Sequence, residues 1–330
     1  MTQPSSFAVF PDPPLKAGDR RYWGGLTGAG LALTLAETAQ RHSGVLVVIT
    51  ADTQSATRLE DELDFFLNDS LPILHFSDWE TLPYDQFSPH QDIISARLRT
   101  LATLPSLQRG ILVVPISTLA QRIAPRGWLG GQSLSLSVKQ KLDGIEFRRQ
   151  LEAAGYTAVD TVFEHGEFAV RGSLIDLFPM GTEYPLRIEL FDDEIDTLRR
   201  FDVDTQRTVE NIEHVELLPA KEFPLDKVAI RRFRDAWANA FTGDPKRCSV
   251  YQDVINGLAA GGIEYYLPLF FEETSTLFDY LPDNALCMVD SAAKVQIENF
   301  WQEIRNRYES RGHDTTRPLL PTERLFLRDN

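Results

Sequence analysis

Cysteine is scarce in this 330-residue chain: Cys248 and Cys287 stand alone, too few for a disulfide framework, and a reducing cytoplasm is the default compartment they imply. No apolar run approaches the ~18 residues that a membrane-spanning helix needs. Residues 1–14 lack the basic start and apolar stretch of a secretory signal. Positive charge is short as well, with 33 Lys and Arg against 48 Asp and Glu and a formal charge of −15. A broad electrostatic grip on DNA or RNA needs clustered cations, so nucleic acid is not the expected partner. What is present, 43% hydrophobic and 25% charged residues, is ordinary for a folded protein. The length suggests two or three domains of about 100–200 residues each.

The first third alternates strand and helix signals. Residues 44–50 (GVLVVIT) form a continuous apolar run, which predicts a strand covered on both faces. Asp52 or Thr53 can cap a helix carrying Leu59, Leu63 and Phe66 on one side. Residues 71–77 read as a second strand, Ile94, Leu98 and Leu101 stripe a second helix, and residues 110–114 (GILVV) supply a third strand. That order predicts a parallel sheet with crossover helices. Residues 124–131 (APRGWLGG) read as a linker.

From about Ser133 the pattern changes. Residues 145–155 predict one amphipathic helix, followed by strands over 168–178 and 186–191, a turn at 192–194, a returning strand over 195–201 and one more over 214–218. Residues 131–218 hold nine basic against eighteen acidic residues, so most of the acidity sits in this α+β module. Helical periodicity returns over 227–241 and 249–260. Residues 284–290 (NALCMVD) then read as a fourth buried strand, and 292–309 as a long helix. The fold class expected is α/β: a parallel-sheet domain interrupted by an inserted α+β module, with the C-terminal part completing the first sheet.

Gly25, Gly28 and Gly30 carry the spacing of a phosphate-binding loop, GxxxxGK[ST]. In a working loop the lysine neutralises phosphate charge and the hydroxyl holds Mg²⁺. Leu31 and Ala32 occupy those two positions, so nucleotide hydrolysis is not expected. The acidic run 190–194 (LFDDE) does not replace a Walker B aspartate, because the strand before it alternates and reads as half-exposed. Glu164, His165 and Glu167 lack zinc-site spacing and read as a turn. Ser88, His90 and Asp92 are adjacent in sequence, which does not make a triad. The two cysteines read as core residues, and the basic spots 231–234 and 305–311 as solvated helix faces.

A binding surface is the positive suggestion. Period-2 alternation turns Leu186, Ile188 and Leu190 inward and Arg187, Glu189 and Phe191 outward. An aromatic and an arginine on a solvent face are types enriched in interface hot spots. Arg171, beside Gly172, belongs to a neighbouring strand. Whether it shares the face of Arg187, or whether the arginines pair with nearby carboxylates and Phe191 only covers a turn, stays open at this level.

Five strings point further: residues 78–98 (DWETLPYDQFSPHQDIISARL), 164–181 (EHGEFAVRGSLIDLFPMG), 191–196 (FDDEID), 201–208 (FDVDTQRT) and 262–271 (GIEYYLPLFF). Together they resemble the N-terminal region of the bacterial transcription-repair coupling factors, a region homologous to the first domains of the excision-repair helicase UvrB. The resemblance implies a degenerate helicase-like α/β domain in two parts, 1–130 and 219–330, around an α+β module at 131–218. It implies that the module docks UvrA, the damage-recognition ATPase of excision repair, through two arginines and a phenylalanine. By local match these are Arg171 in AVRG, Arg187 in PLRIEL and Phe191 in LFDDE. The implied role is recruitment without catalysis, with no cofactor or metal and little direct contact with nucleic acid. Other domains of the parent protein are further expected partners, because an exposed sticky surface needs cover when idle. The DNA-clamping aromatic hairpin of UvrB has no counterpart, only residues 84–90 (YDQFSPH) in its place, and the motor domains of the family are not in this chain. The alternative reading is an ATP- or DNA-dependent enzyme fragment with an atypical nucleotide site.

Overall fold

A computed structural model describes residues 12–14, 16, 18–26 and 28–328; the signal-sequence expectation, made on residues 1–14, lies mostly outside them. The first segment runs α1 (Gly30–Arg41), β1 (Val45–Thr50), α2 (Thr53–Leu67), β2 (Ile73–His75), α3 (Gln91–Thr103), β3 (Gly110–Pro115), α4 (Ile116–Leu119) and α5 (Arg126–Gly130). Asp52 caps α2 by accepting the Ser55 amide at 2.7 Å, which satisfies one of the helix's free donors. Ile94, Leu98 and Leu101 are all buried on α3. The expected linker at 124–131 is instead packed structure: Leu129 is buried, Trp128 meets Phe271 edge-on, and Ile123 bridges to Ser275. Its apolar anchors outweigh its Pro and Gly content.

The second segment holds β4 (Leu134–Ser137), α6 (Gly144–Ala153), β5 (Thr157–Ala158), β6 (Glu167–Arg171), β7 (Leu174–Leu177), β8 (Leu186–Phe191), β9 (Glu194–Phe201), β10 (Thr208–Ile212) and β11 (His214–Leu217). The single strand expected over 168–178 is a hairpin. Gly172, at φ +65°, takes the left-handed conformation that a tight two-residue turn needs, and Arg171 pairs with Leu174 across it. The third segment adds α7 (Lys227–Ala240), α8 (Ser249–Ile255), β12 (Leu286–Val289) and α9 (Ala293–Arg311). α8 is shorter than expected. Gly257 at φ +79° ends it while its amide bonds the Val254 carbonyl and the Leu258 amide bonds Asp253.

Two layers of helices sandwich an all-parallel sheet of order β12-β1-β3-β2. β1 and β3 are central and buried along their whole length, as continuous apolar runs require. Leu46, Val48, Ile111 and Val113 meet α1 and α2 on one side; Val45, Val47, Leu112 and Val114 join the buried residues of α3 and α9 on the other. β12 returns from the far end of the chain to pair with β1, but as an edge strand. It alternates half-buried and exposed residues, so it is not buried as expected, and Cys287 is exposed, unlike the buried Cys248.

A second sheet, β10-β9-β8-β7-β6-β5, is antiparallel except for β5–β6, and β4 pairs with β11 beside it. Its inner face, with Phe168, Ile175, Leu177, Leu186, Ile188 and Leu198, packs on Phe147 and Leu151 of α6 and continues into the main core. α3 ties the two sheets together. Its Ser95 hydroxyl accepts the Gly181 amide at 2.7 Å, its Asp92 meets His165 at 2.6 Å, and its fully buried Arg97 donates to Glu222 at 2.7 Å. Among the described residues no helix is long and apolar enough to cross a membrane.

Candidate protein-interaction face

Two hairpins, β6–β7 and β8–β9, turn at the same end of the second sheet, and the Leu190 amide bonds the Ser173 carbonyl between their tips. Register fixes which side chains share the outer face. Arg171 stands opposite Leu174, Leu174 opposite Glu189, Asp176 opposite Arg187, Arg187 opposite Arg199, and Phe191 opposite Glu194. A bulge falls between Glu189 and Leu190 in the register with β9: Glu189 faces Thr197 and Leu190 faces Ile195, so the extra residue is Asp196. The bulge sits on β9 and leaves the alternation of β8 unbroken. Phe191 therefore emerges on the arginine side, 74% exposed. Leu190 points inward as expected but is only half-buried at the sheet's end, packed near Gly144.

The question left open by sequence is answered by one carboxylate. Arg171 and Arg187 share the outer face, and both pair with Asp176, which is 1% exposed. Asp176 accepts Nε and Nη2 of Arg187 at 2.6 and 2.9 Å, a bidentate grip, and also accepts Nη2 of Arg171. Arg187 is further fixed by the Phe201 ring, 4.5 Å below its guanidinium carbon, and by the side chain and carbonyl of Gln206. Its Asp176 hydrogen bond holds its pKa above the ordinary value against the opposing effect of burial. Only 19% of its side chain is exposed, whereas Arg171 is 50% exposed. Arg199 lies directly opposite Arg187, and each cation leans to its own acid, Arg199 to Glu189 at 2.5 Å. The tip thus presents Phe191, half-buried Leu174 and the open side of Arg171 over a tightly wired base.

Sequence reasoning missed Asp176, Phe201, Gln206 and Leu174. The first and last were readable once the turn at Gly172 is recognised, since alternation from Leu174 puts Leu174 and Asp176 on the side of Arg171. Phe201 and Gln206 carried no such signal.

Other candidate groups do not assemble. Gly25 and Gly28 take positive φ before α1, but Leu31 packs on the apolar cluster under that helix and Ala32 is wholly buried in it. The 190–194 run is the β8–β9 turn. Ser88 donates to Glu264, His90 accepts the Asp92 amide at the start of α3, and Asp92 takes His165; no triad forms. Glu167 accepts the amides of Phe163 and Glu164, closing the expected turn. Among the described residues no cluster of three metal-ligating side chains exists. Arg307 and Arg311 are not on a solvated face as expected. They clamp the loop before α3, donating to the carbonyls of Pro83 and Tyr84 at 2.5 and 3.0 Å, because α9 lies against that loop.

Residues 134–223, which contain the whole outer face, match the family model described as the UvrB interaction domain. The chain is 50% identical over 318 residues to the transcription-repair-coupling factor of Escherichia coli (strain K12), covering 96% of this chain and 27% of that protein. The corresponding figures for the Haemophilus influenzae (strain Rd) transcription-repair-coupling factor are 46% over 320 residues, 96% and 28%; for that of Rickettsia bellii they are 31% over 267 residues, 80% and 24%. The chain spans about a quarter of the length of these relatives. Along nearly its whole length the chain thus matches a segment of the transcription-repair-coupling factors, and that segment includes the match to the UvrB interaction domain.

Proposed function

We propose that this segment is the recruitment surface of a coupling factor: it binds UvrA in the bacterial cytoplasm and so brings nucleotide excision repair to stalled transcription, without catalysing a reaction itself. The observation that carries this reading is the shared outer face of Arg171, Arg187 and Phe191 inside the matched domain. Phe191 buries in an apolar socket on UvrA, the kind of aromatic anchor that dominates interface energies. Arg171 offers its free donors to a partner carboxylate. Arg187 has five N–H donors and spends most of them on Asp176 and Gln206, so it acts mainly by fixing the surface. The divisions 1–130, 131–218 and 219–330 remain our proposed domain limits, the outer two forming a helicase-like unit whose phosphate loop is degenerate. Leu31 and Ala32, turned into the core, support the absence of nucleotide chemistry here.

Titration of purified UvrA with this chain tests the reading. Saturable binding that weakens as salt rises is expected, because charged contacts at an interface rim are screened. Absence of binding, or tight Mg²⁺–ATP binding by the chain itself, overturns it.

A further inference from the structure

We propose that Asp176 is a positioning residue for docking: it fixes the geometry of both arginines, and it does so at the expense of the face's net positive charge. The proposal rests on the UvrA-binding reading above and adds a residue and a mechanism to it. Asp176 is the most deeply buried charged member of the face, at the centre of β7 between the two arginine-bearing strands. Its two oxygens are divided. Oδ1 takes Nε of Arg187, and Oδ2 takes Nη2 of both Arg187 and Arg171.

Two long, flexible side chains are thereby held as one rigid pair. Arginine gives up much rotamer freedom when it is immobilised, and here that cost is met before any partner arrives. The remaining support is of the same kind: the guanidinium of Arg187 lies on the buried Phe201 ring, and Gln206 closes its outer side from the turn before β10. Arg171, Asp176 and Arg187 together carry one net positive charge, so the partner surface they fit is a carboxylate beside an apolar socket for Phe191.

Positioning and simple charge attraction make opposite predictions for Asp176→Asn. The amide keeps the shape and raises the face's charge by one. If attraction alone governed docking, association with an acidic surface would quicken and affinity would rise. If positioning governs, the freed arginines must be ordered at each encounter, and dissociation accelerates. The readout is the dissociation rate, because loss of folded protein lowers the active fraction without changing the rate at which folded complexes come apart.

The experiment measures UvrA association and dissociation by stopped-flow or surface-bound kinetics for the wild-type chain, Asp176→Asn and Gln206→Asn, with circular dichroism as the check of folding. Gln206 sits at a left-handed turn position, φ +59°, that asparagine tolerates, and its shorter side chain withdraws the amide oxygen from Arg187. Dissociation faster by tenfold or more for Asp176→Asn, with an association rate equal to or above wild type, supports the proposal. A threefold or larger rise for Gln206→Asn supports it where the first variant does not fold. Wild-type binding with unchanged dissociation in the folded variants overturns the positioning role and leaves the UvrA reading intact. Failure of the wild type to bind overturns both.

Discussion

Asp176 and Arg187 face each other across β7 and β8, joined by two hydrogen bonds of 2.6 and 2.9 Å, and the same carboxylate also receives Arg171. The two arginines are therefore unequal in what their loss does. Arg171→Ala removes a half-exposed side chain at a turn and leaves Asp176 its bidentate partner, so stability stays near wild type while UvrA binding weakens by about 2 kcal/mol or more. Arg187→Ala strips a buried carboxylate of its main partner and is expected to lower stability by about 3 kcal/mol as well. Denaturant melts beside binding titrations separate the two cases.

A second buried pair joins α3 to the segment that follows β11. Arg97 and Glu222 are both buried, with Trp79 donating to the other Glu222 oxygen at 2.9 Å and the guanidinium of Arg97 stacked on Phe76 and Trp79. Arg97→Ala is expected to cost about 3–5 kcal/mol, because it leaves Glu222 uncompensated. Adding Glu222→Gln should recover part of that loss, measured by a double-mutant cycle in urea.

Glu264 gives a pH dependence. Burial pushes its carboxyl up to about 7 from the model-peptide value of 4.5, while Ser88 donates to it and Lys221 and Glu222 line the same small cavity. Between pH 4.5 and 7 the folded state keeps a proton that the unfolded state releases, so this group's contribution to stability falls as pH rises across that window and is level above it. Glu264→Gln never ionises. Its stability relative to wild type should improve from pH 4.5 to pH 8 by on the order of 2–3 kcal/mol, read from melts at both values.

Placing phosphate-loop residues at positions 31 and 32 should not create a nucleotide site. Ala32 is fully buried among Leu35, Leu46 and their neighbours, so the extra atoms of Ala32→Thr overpack the core at a cost of about 1–3 kcal/mol. Calorimetry on Leu31→Lys/Ala32→Thr is expected to show a lowered melting temperature and no Mg²⁺–ATP binding.

Long-period and period-2 signals were legible. The apolar runs of β1 and β3, the stripe of α3 and the outward turn of Phe191 all follow from spacing, since each depends on the side chains of its own element. What spacing does not encode is which strands become neighbours. The hairpin at Gly172 was hidden inside one apolar stretch, and with it the placement of Asp176 opposite Arg187. Cys287 and β12 were misjudged for the same reason: an apolar run looks alike in a central and an edge strand. Arg307 and Arg311 read as solvent-facing because the loop they clamp lies more than 200 residues away in sequence. The arginines and phenylalanine of the face were selected by family resemblance together with alternation, and their common carboxylate only by the fold.

The most direct test of the docking face is the affinity of UvrA for the wild-type chain, Phe191→Ala and, as a control, Phe65→Ala, an equally exposed phenylalanine on α2 of the parallel-sheet unit. The account expects Phe191→Ala to remain folded and to bind at least about 30-fold more weakly, corresponding to ~2 kcal/mol, with Phe65→Ala indistinguishable from wild type. Equal binding by wild type and Phe191→Ala, or a loss confined to Phe65→Ala, would contradict it.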